Sequence, residues 1–158
     1  MADLIRSAGV APQECCRELF SRMVFNIVIE NTDDHEKNHA ILVEGGRWKL
    51  SPAFDVQPQL QDLNHKQLCA GKQRNASSPA NAVSDAGRIL LKPDKAIDLA
   101  RGIAARAADW EQAFAQNGVS PQDINACRTF ILRPSAVDLQ SFPRRATGQR
   151  RNTASPRP

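Results

Sequence analysis

Residues 31–56 read "NTDDHEKNHAILVEGGRWKLSPAFDV". The first eight hold three acids, a histidine, a lysine and two asparagines. The middle, "HAILVEGGRWKLSP", reads as a hairpin: Gly45–Gly46 supplies the positive-φ turn between "AILVE" and "RWKL", and Pro52 ends the second strand. Seventeen residues separate Asn38 from Asp55. Two antiparallel strands of that length return the chain to where it began. Asp33, Asn38 and Asp55 are therefore expected to converge. Two carboxylates and a carboxamide make a hard-oxygen set, the kind Mg²⁺ accepts while keeping waters and phosphate oxygens.

The polar stretch hangs on an apolar one. Cys16, Leu19, Phe20, Met23, Val24 and Ile27 fall at helical spacing, so 12–30 is expected to be an amphipathic helix. Pro12 suits its first turn, with Glu14 near the positive end of the dipole. After the hairpin, 57–78 is a polar loop with one short strand expected around "HKQLCAG". Ser78–Pro79 opens a short helix to about residue 90. A longer helix is expected over 93–116, with a stripe of Ile97, Ala100, Ile103, Ala104, Ala107, Trp110 and Phe114. Asn117–Gly118 ends it, and Ser120–Pro121 caps a last helix, "QDINACRTFI". Trp48 and Trp110 are expected to pack in the core. The fold class is mainly α, an α+β arrangement with one small hairpin.

The whole chain is one domain's worth at 158 residues, 41% apolar and 24% charged. No stretch approaches the roughly 18 apolar residues of a membrane span, and the N-terminus lacks a secretory pattern. Cys15, Cys16, Cys69 and Cys127 form no C-x-x-C pair and are expected to be reduced thiols of a cytoplasmic protein. The net charge of +4 is misleading. From Arg133 onward, six arginines and one acid carry +5, which leaves the rest at −1. That stretch is rich in Pro, Arg, Ser and Thr, so a body at 1–132 and a disordered tail at 133–158 are expected.

The order Asp, four residues, Asn, hairpin, Asp is that of a protein-kinase catalytic centre, although H-R-D and D-F-G are both missing. Those departures point to one family. Asp33, His35, Lys37 and Asn38 match D-x-H-x-K-N. Leu50, Ser51, Pro52, Phe54, Asp55 and Val56 match L-[ST]-P-x-[YF]-D-[ILV]. The pair of motifs resembles HipA-like serine/threonine kinases, toxins of bacterial toxin–antitoxin systems. "RELFSRMVFNIVIENTDDH" and "ARGIAARAADWEQAFAQNGVSPQDI" are similar to the family's flanking helices, so the resemblance spans about 1–132, its kinase-like C-lobe.

The resemblance implies ATP as substrate and Mg²⁺ as metal. Asp33 would be the catalytic base or hydroxyl-orienting group, and Asn38 and Asp55 the Mg²⁺ ligands. Lys37 would neutralise phosphate charge, and His35 would shape the loop or bond near Asp33. Asp34 is expected to face solvent, and His39 and His65 to be structural. The implied partners are a protein substrate, an aminoacyl-tRNA synthetase in the family, and an antitoxin-like DNA-binding protein.

No G-x-G-x-x-G can be built from the glycines, and no lysine-bearing strand precedes the first helix. A chain with the family's N-lobe absent would be a truncated product, part of a split kinase or a relic, with little or no activity alone. A shifted reading frame would explain the tail. Two other readings stay open: a non-catalytic module for a DNA-binding antitoxin, and salt-sensitive nucleic-acid attraction through the tail arginines. The second is the weaker, because no aromatics are interleaved. A polar loop of this composition, met alone, would be an ordinary solvated helix-to-strand connection.

Overall fold

The computed structural model describes residues 1–60 and 66–134. His65 and most of the expected tail lie outside them. The element that organises the rest is α2, Pro12–Val28, with proline at its start and Glu14 in its first turn. Cys16, Phe20, Val24 and Ile27 recur every three or four positions and have no solvent exposure. Leu19 and Met23, also in the expected stripe, are only partly buried against the core. Full burial of a side chain such as Phe20 or Ile27 stabilises by roughly 1.5–3 kcal/mol.

Three elements cover that stripe. The helix α1, Ala2–Ala8, was not anticipated, because seven residues with Met1 as an uncapped N-cap carry no start signal. It packs on α2 and buries Ile5. On another side lies α4, Pro93–Ala107, whose inward face is Ala96, Ile97, Ala100, Ala104 and Ala107. Small side chains there let the two helix backbones approach closely. The third is α3, Pro79–Ser84, capped by the Ser78 hydroxyl on the Asn81 N–H and followed by a 3₁₀ turn over Ala86–Ile89.

The expected helix over 93–116 is two helices. It breaks at Ala108–Asp109, and α5 runs Trp110–Gln116 and packs against α6, Pro121–Cys127. Neither glycine nor proline marks the break, so tertiary packing overrides local pattern. Trp110 is half-buried and meets Phe114 edge-on, ring centroids 5.2 Å apart.

The hairpin forms as expected: β1, Ile41–Glu44, pairs antiparallel with β2, Arg47–Leu50, in the register Ile41 to Leu50. Gly45 and Gly46 have φ of 57° and 76°, which glycine adopts without steric cost. The hairpin is peripheral. Leu50 is its buried anchor, and Trp48 stays 37% exposed, so the expected core role for Trp48 is not met. Its backbone does the docking instead, with the Trp48 carbonyl accepting from the Val10 N–H at 2.9 Å. Among the described residues near "HKQLCAG" the pairing is an isolated bridge, Gly71 to Arg74.

Candidate functional site

The site starts where α2 stops. The Asn31 N–H bonds back to the Asn26 carbonyl at 2.8 Å and the Glu30 N–H to Ile27 at 3.2 Å, the double closure of a Schellman end. Such an end wants glycine at the left-handed position. Glu30 occupies it, with φ of 59°. The strain costs about 1–2 kcal/mol. Glu30 is fully buried, and its carboxylate meets Arg133 at 2.7 Å. The Leu132 N–H bonds to the Val28 carbonyl, so the chain near Arg133 is fastened to the helix end that launches the loop.

The adjacent acids Asp33 and Asp34 face opposite ways. Asp34 is buried and bonded to His39 Nε2 at 2.8 Å, with the Lys66 ammonium 3.9 Å away. The expectation that it faces solvent is overturned: a hydrogen bond from His39 and the Lys66 ammonium make its burial tolerable. Burial alone would raise its carboxyl, but the His39 bond, the Lys66 charge and a bond from Asn26 together hold it below the ordinary range. Lys66 is just 1% exposed in its side chain and also donates to the Asn31 carbonyl. Burial pushes its ammonium down to about 8, against the pull of Asp34 and Glu30.

Asp33 is half-buried and points outward. One carboxylate oxygen accepts from the Gln67 side chain at 2.5 Å, and its backbone carbonyl accepts from the Asn38 amide at 3.3 Å. Asn38 is buried at the end of a 3₁₀ turn, Glu36–Asn38. With its nitrogen committed to Asp33, its carboxamide oxygen accepts no hydrogen bond among the described residues. Lys37 is exposed. His35 is half-buried, and its Nδ1 meets no partner among the described residues. Among the described residues His35 makes no hydrogen bond to the Asp33 side chain, which leaves loop-shaping as the other expected part. It is His39 that binds an acid.

The segment after β2 is tied to the same place. The Ser51 N–H bonds to the Ala40 carbonyl at the hairpin base, and Arg22, on α2, donates to the Ser51 carbonyl at 2.6 Å. The Asn31 side chain spans the two motifs: it donates to Asn26 at 3.3 Å and contacts the Asp55 carbonyl at 3.5 Å. The Gln59 N–H bonds to the Glu30 carbonyl. Asp55 is thus brought to the root of the loop, at Asn31. Its side chain is exposed, with φ of 54°, a left-handed conformation that aspartate tolerates better than most residues.

Asn81 orders the loop that carries Lys66. It is buried, donates to the Arg74 and Ala76 carbonyls and accepts from the Gln73 N–H. The Lys66 N–H bonds to the Asn75 carbonyl. Glu30, Lys66, Gln67, Asn81 and Arg133 were all missed by sequence reading, and no local signal marks them. Asn31 heads the stretch 31–56, and nothing in that stretch marks it as the residue that joins the two motifs.

Among the described residues, no group of three or more His, Cys, Asp or Glu could hold a metal. The oxygen donors available are the Asn38 carboxamide and the Asp55 carboxylate. Oxygens of these two kinds suit a hard cation that keeps phosphates and water among its ligands. Beside it, a groove of about 650 Å³ runs between α2 and α4, lined by Phe25, Phe54, Val56 and Arg106 among others. The cysteines are all free, and burial raises the Cys16 and Cys127 thiols. No helix of the described residues is long and apolar enough to cross a membrane.

A family model described as HipA-like C-terminal domain matches residues 1–111. No curated protein and no solved structure matches the chain.

Proposed function

The chain belongs to the HipA-like C-terminal domain family, and from that premise we propose that it carries the catalytic and metal-binding segments of an ATP- and Mg²⁺-dependent serine/threonine protein kinase. The observation that carries the reading is the Asn31 bridge, which fastens the Asp33–Asn38 loop to the Asp55 segment. Motifs that merely coincided in sequence would have no reason to meet.

In this reading Asp33 accepts or orients the substrate hydroxyl. Gln67 occupies one of its oxygens, and the other takes no hydrogen bond among the described residues. Asn38 and Asp55 hold Mg²⁺, which when bound would neutralise charge on the ATP phosphates. Lys37, exposed beside Asn38, adds a point charge for the same phosphates. His35 Nδ1 is buried, so the part left to His35 in this reading is to shape the loop. The substrate is a protein hydroxyl, on an aminoacyl-tRNA synthetase if this chain follows its family.

The test is calorimetric titration of ATP with and without Mg²⁺. The reading expects Mg²⁺-dependent binding that Asp55→Asn and Asn38→Ala abolish and Asp33→Asn retains. Equal binding by all four proteins would reject it.

A second reading is a non-catalytic module for an antitoxin-like DNA-binding partner. The exposed Phe25, Phe54 and Val56 around the groove favour it. Co-purification with the product of a neighbouring helix-turn-helix gene, lost in Phe54→Ser, would support it over catalysis.

A further inference from the structure

Two successive residues, Lys66 and Gln67, address two successive acids. Lys66 lies beneath the loop, with its ammonium on the Asn31 carbonyl and 3.9 Å from the Asp34 carboxylate. Gln67 lies above it, with its side-chain nitrogen 2.5 Å from Asp33 Oδ1. The chain bends at Gln67, and the two neighbouring side chains reach different acids. One dipeptide can therefore pull Asp34 inward and hold Asp33 outward.

We infer that Lys66 and Gln67 are a positioning pair for Asp33, setting the direction of the carboxylate that meets the accepting hydroxyl. Calling Asp33 the hydroxyl-orienting group rests on the kinase reading above; the geometry of the pair does not. The chemistry needs such a device. A base must sit within hydrogen-bond reach of the proton it takes, and a free aspartate on a loop samples several rotamers. His39 fixes Asp34, but among the described residues only Gln67 bonds the Asp33 side chain. The pair is itself anchored. The Lys66 N–H bonds to Asn75, in the loop that Asn81 clamps at Arg74 and Ala76. The groups facing Lys66 are Asp34 and Glu30, with Asn31 supplying its carbonyl.

The experiment measures three-bond side-chain couplings of Asp33 and Asp34 by NMR in the full chain, for the parent, Gln67→Ala and Lys66→Met. Calorimetric titration of Mg²⁺ and ATP accompanies it. Gln67 is exposed, so Gln67→Ala is expected to fold as the parent does. The inference predicts single-rotamer couplings for both acids in the parent. In Gln67→Ala the Asp33 couplings average while those of Asp34 stay fixed. In Lys66→Met the Asp33 couplings average as well, because the dipeptide loses its hold on the Asn31 carbonyl, while His39 still fixes Asp34. ATP affinity in Gln67→Ala stays within about twofold, because Asp33 is not a metal ligand. Unchanged Asp33 couplings in Gln67→Ala overturn the inference, whatever Lys66→Met does. If the parent binds no Mg²⁺ and ATP yet the coupling pattern holds, the kinase reading falls and the positioning geometry stands.

Discussion

The Lys66 ammonium donates to the Asn31 carbonyl and stands 3.9 Å from the Asp34 carboxylate, with both side chains withdrawn from solvent. The lysine ionises at about 8 in the fold against 10.5 ordinarily, because burial outweighs Asp34 and Glu30. Below about pH 8 folded and unfolded chains both carry the proton, and the cost of the buried charge is fully felt. Between 8 and 10.5 the unfolded chain binds more protons, so this residue makes stability rise with pH. Its size is on the order of 3 kcal/mol. Urea unfolding at stepped pH should show that rise in the parent and its absence in Lys66→Met.

Asp34 works in the opposite sense. Its carboxyl is held below the ordinary 3.8, so it contributes stability above that value, lost as pH falls through the lower folded value. Asp34→Asn should lower stability at pH 7 by about 3–5 kcal/mol, because it strands Lys66, and should flatten the acid limb of the curve. The exposed pair Lys49–Glu44 is the control: Lys49→Ala should change stability by less than about 1 kcal/mol.

Glu30 and Arg133 form a second buried pair at 2.7 Å. Arg133→Met leaves a carboxylate inside the helix end, and should cost about 3–5 kcal/mol by chemical denaturation. Glu30→Gly relieves the left-handed strain, so the Glu30→Gly/Arg133→Met double variant should be more stable than Arg133→Met alone.

The loop carrying Lys66 is fixed by Asn81 and Gly71. A Cβ on Gly71 would lie 1.8 Å from the Asn81 carbonyl oxygen, an overlap of backbone with no flexible partner to yield. Gly71→Ala and Asn81→Ala should each destabilise by about 2–4 kcal/mol, the second by stripping the loop of its three bonds. Both should also loosen Lys66, seen as faster hydrogen exchange at its amide.

What could be read from the sequence was what repeats locally or has a strict pattern. The stripe Cys16, Phe20, Val24, Ile27 has the helical period, and Gly45–Gly46 names its turn. The two motifs at Asp33–Asn38 and Asp55 identified the family jointly. The residues that hold the loop were not legible. Lys66 meets Asp34, and Arg133 meets Glu30, across long stretches of chain with no local signature. Asp34 looked like a solvent-facing acid because nothing nearby announces His39 and Lys66 as its partners. Trp48 looked like core because aromatic residues usually pack, but the hairpin buries little beyond Leu50. The break between α4 and α5 lacks any residue that breaks helices.

In the proposed function Asn38 and Asp55 share one cation with the ATP phosphates. Paramagnetic line broadening tests it most directly, with Mn²⁺ in place of Mg²⁺, ATP present and the full chain labelled with ¹⁵N. Broadening should centre on the amides of Asn38 and Asp55, leave Ala100 and Ala104 on α4 sharp, and disappear in Asp55→Asn. Broadening centred elsewhere, or undiminished in Asp55→Asn, would contradict it.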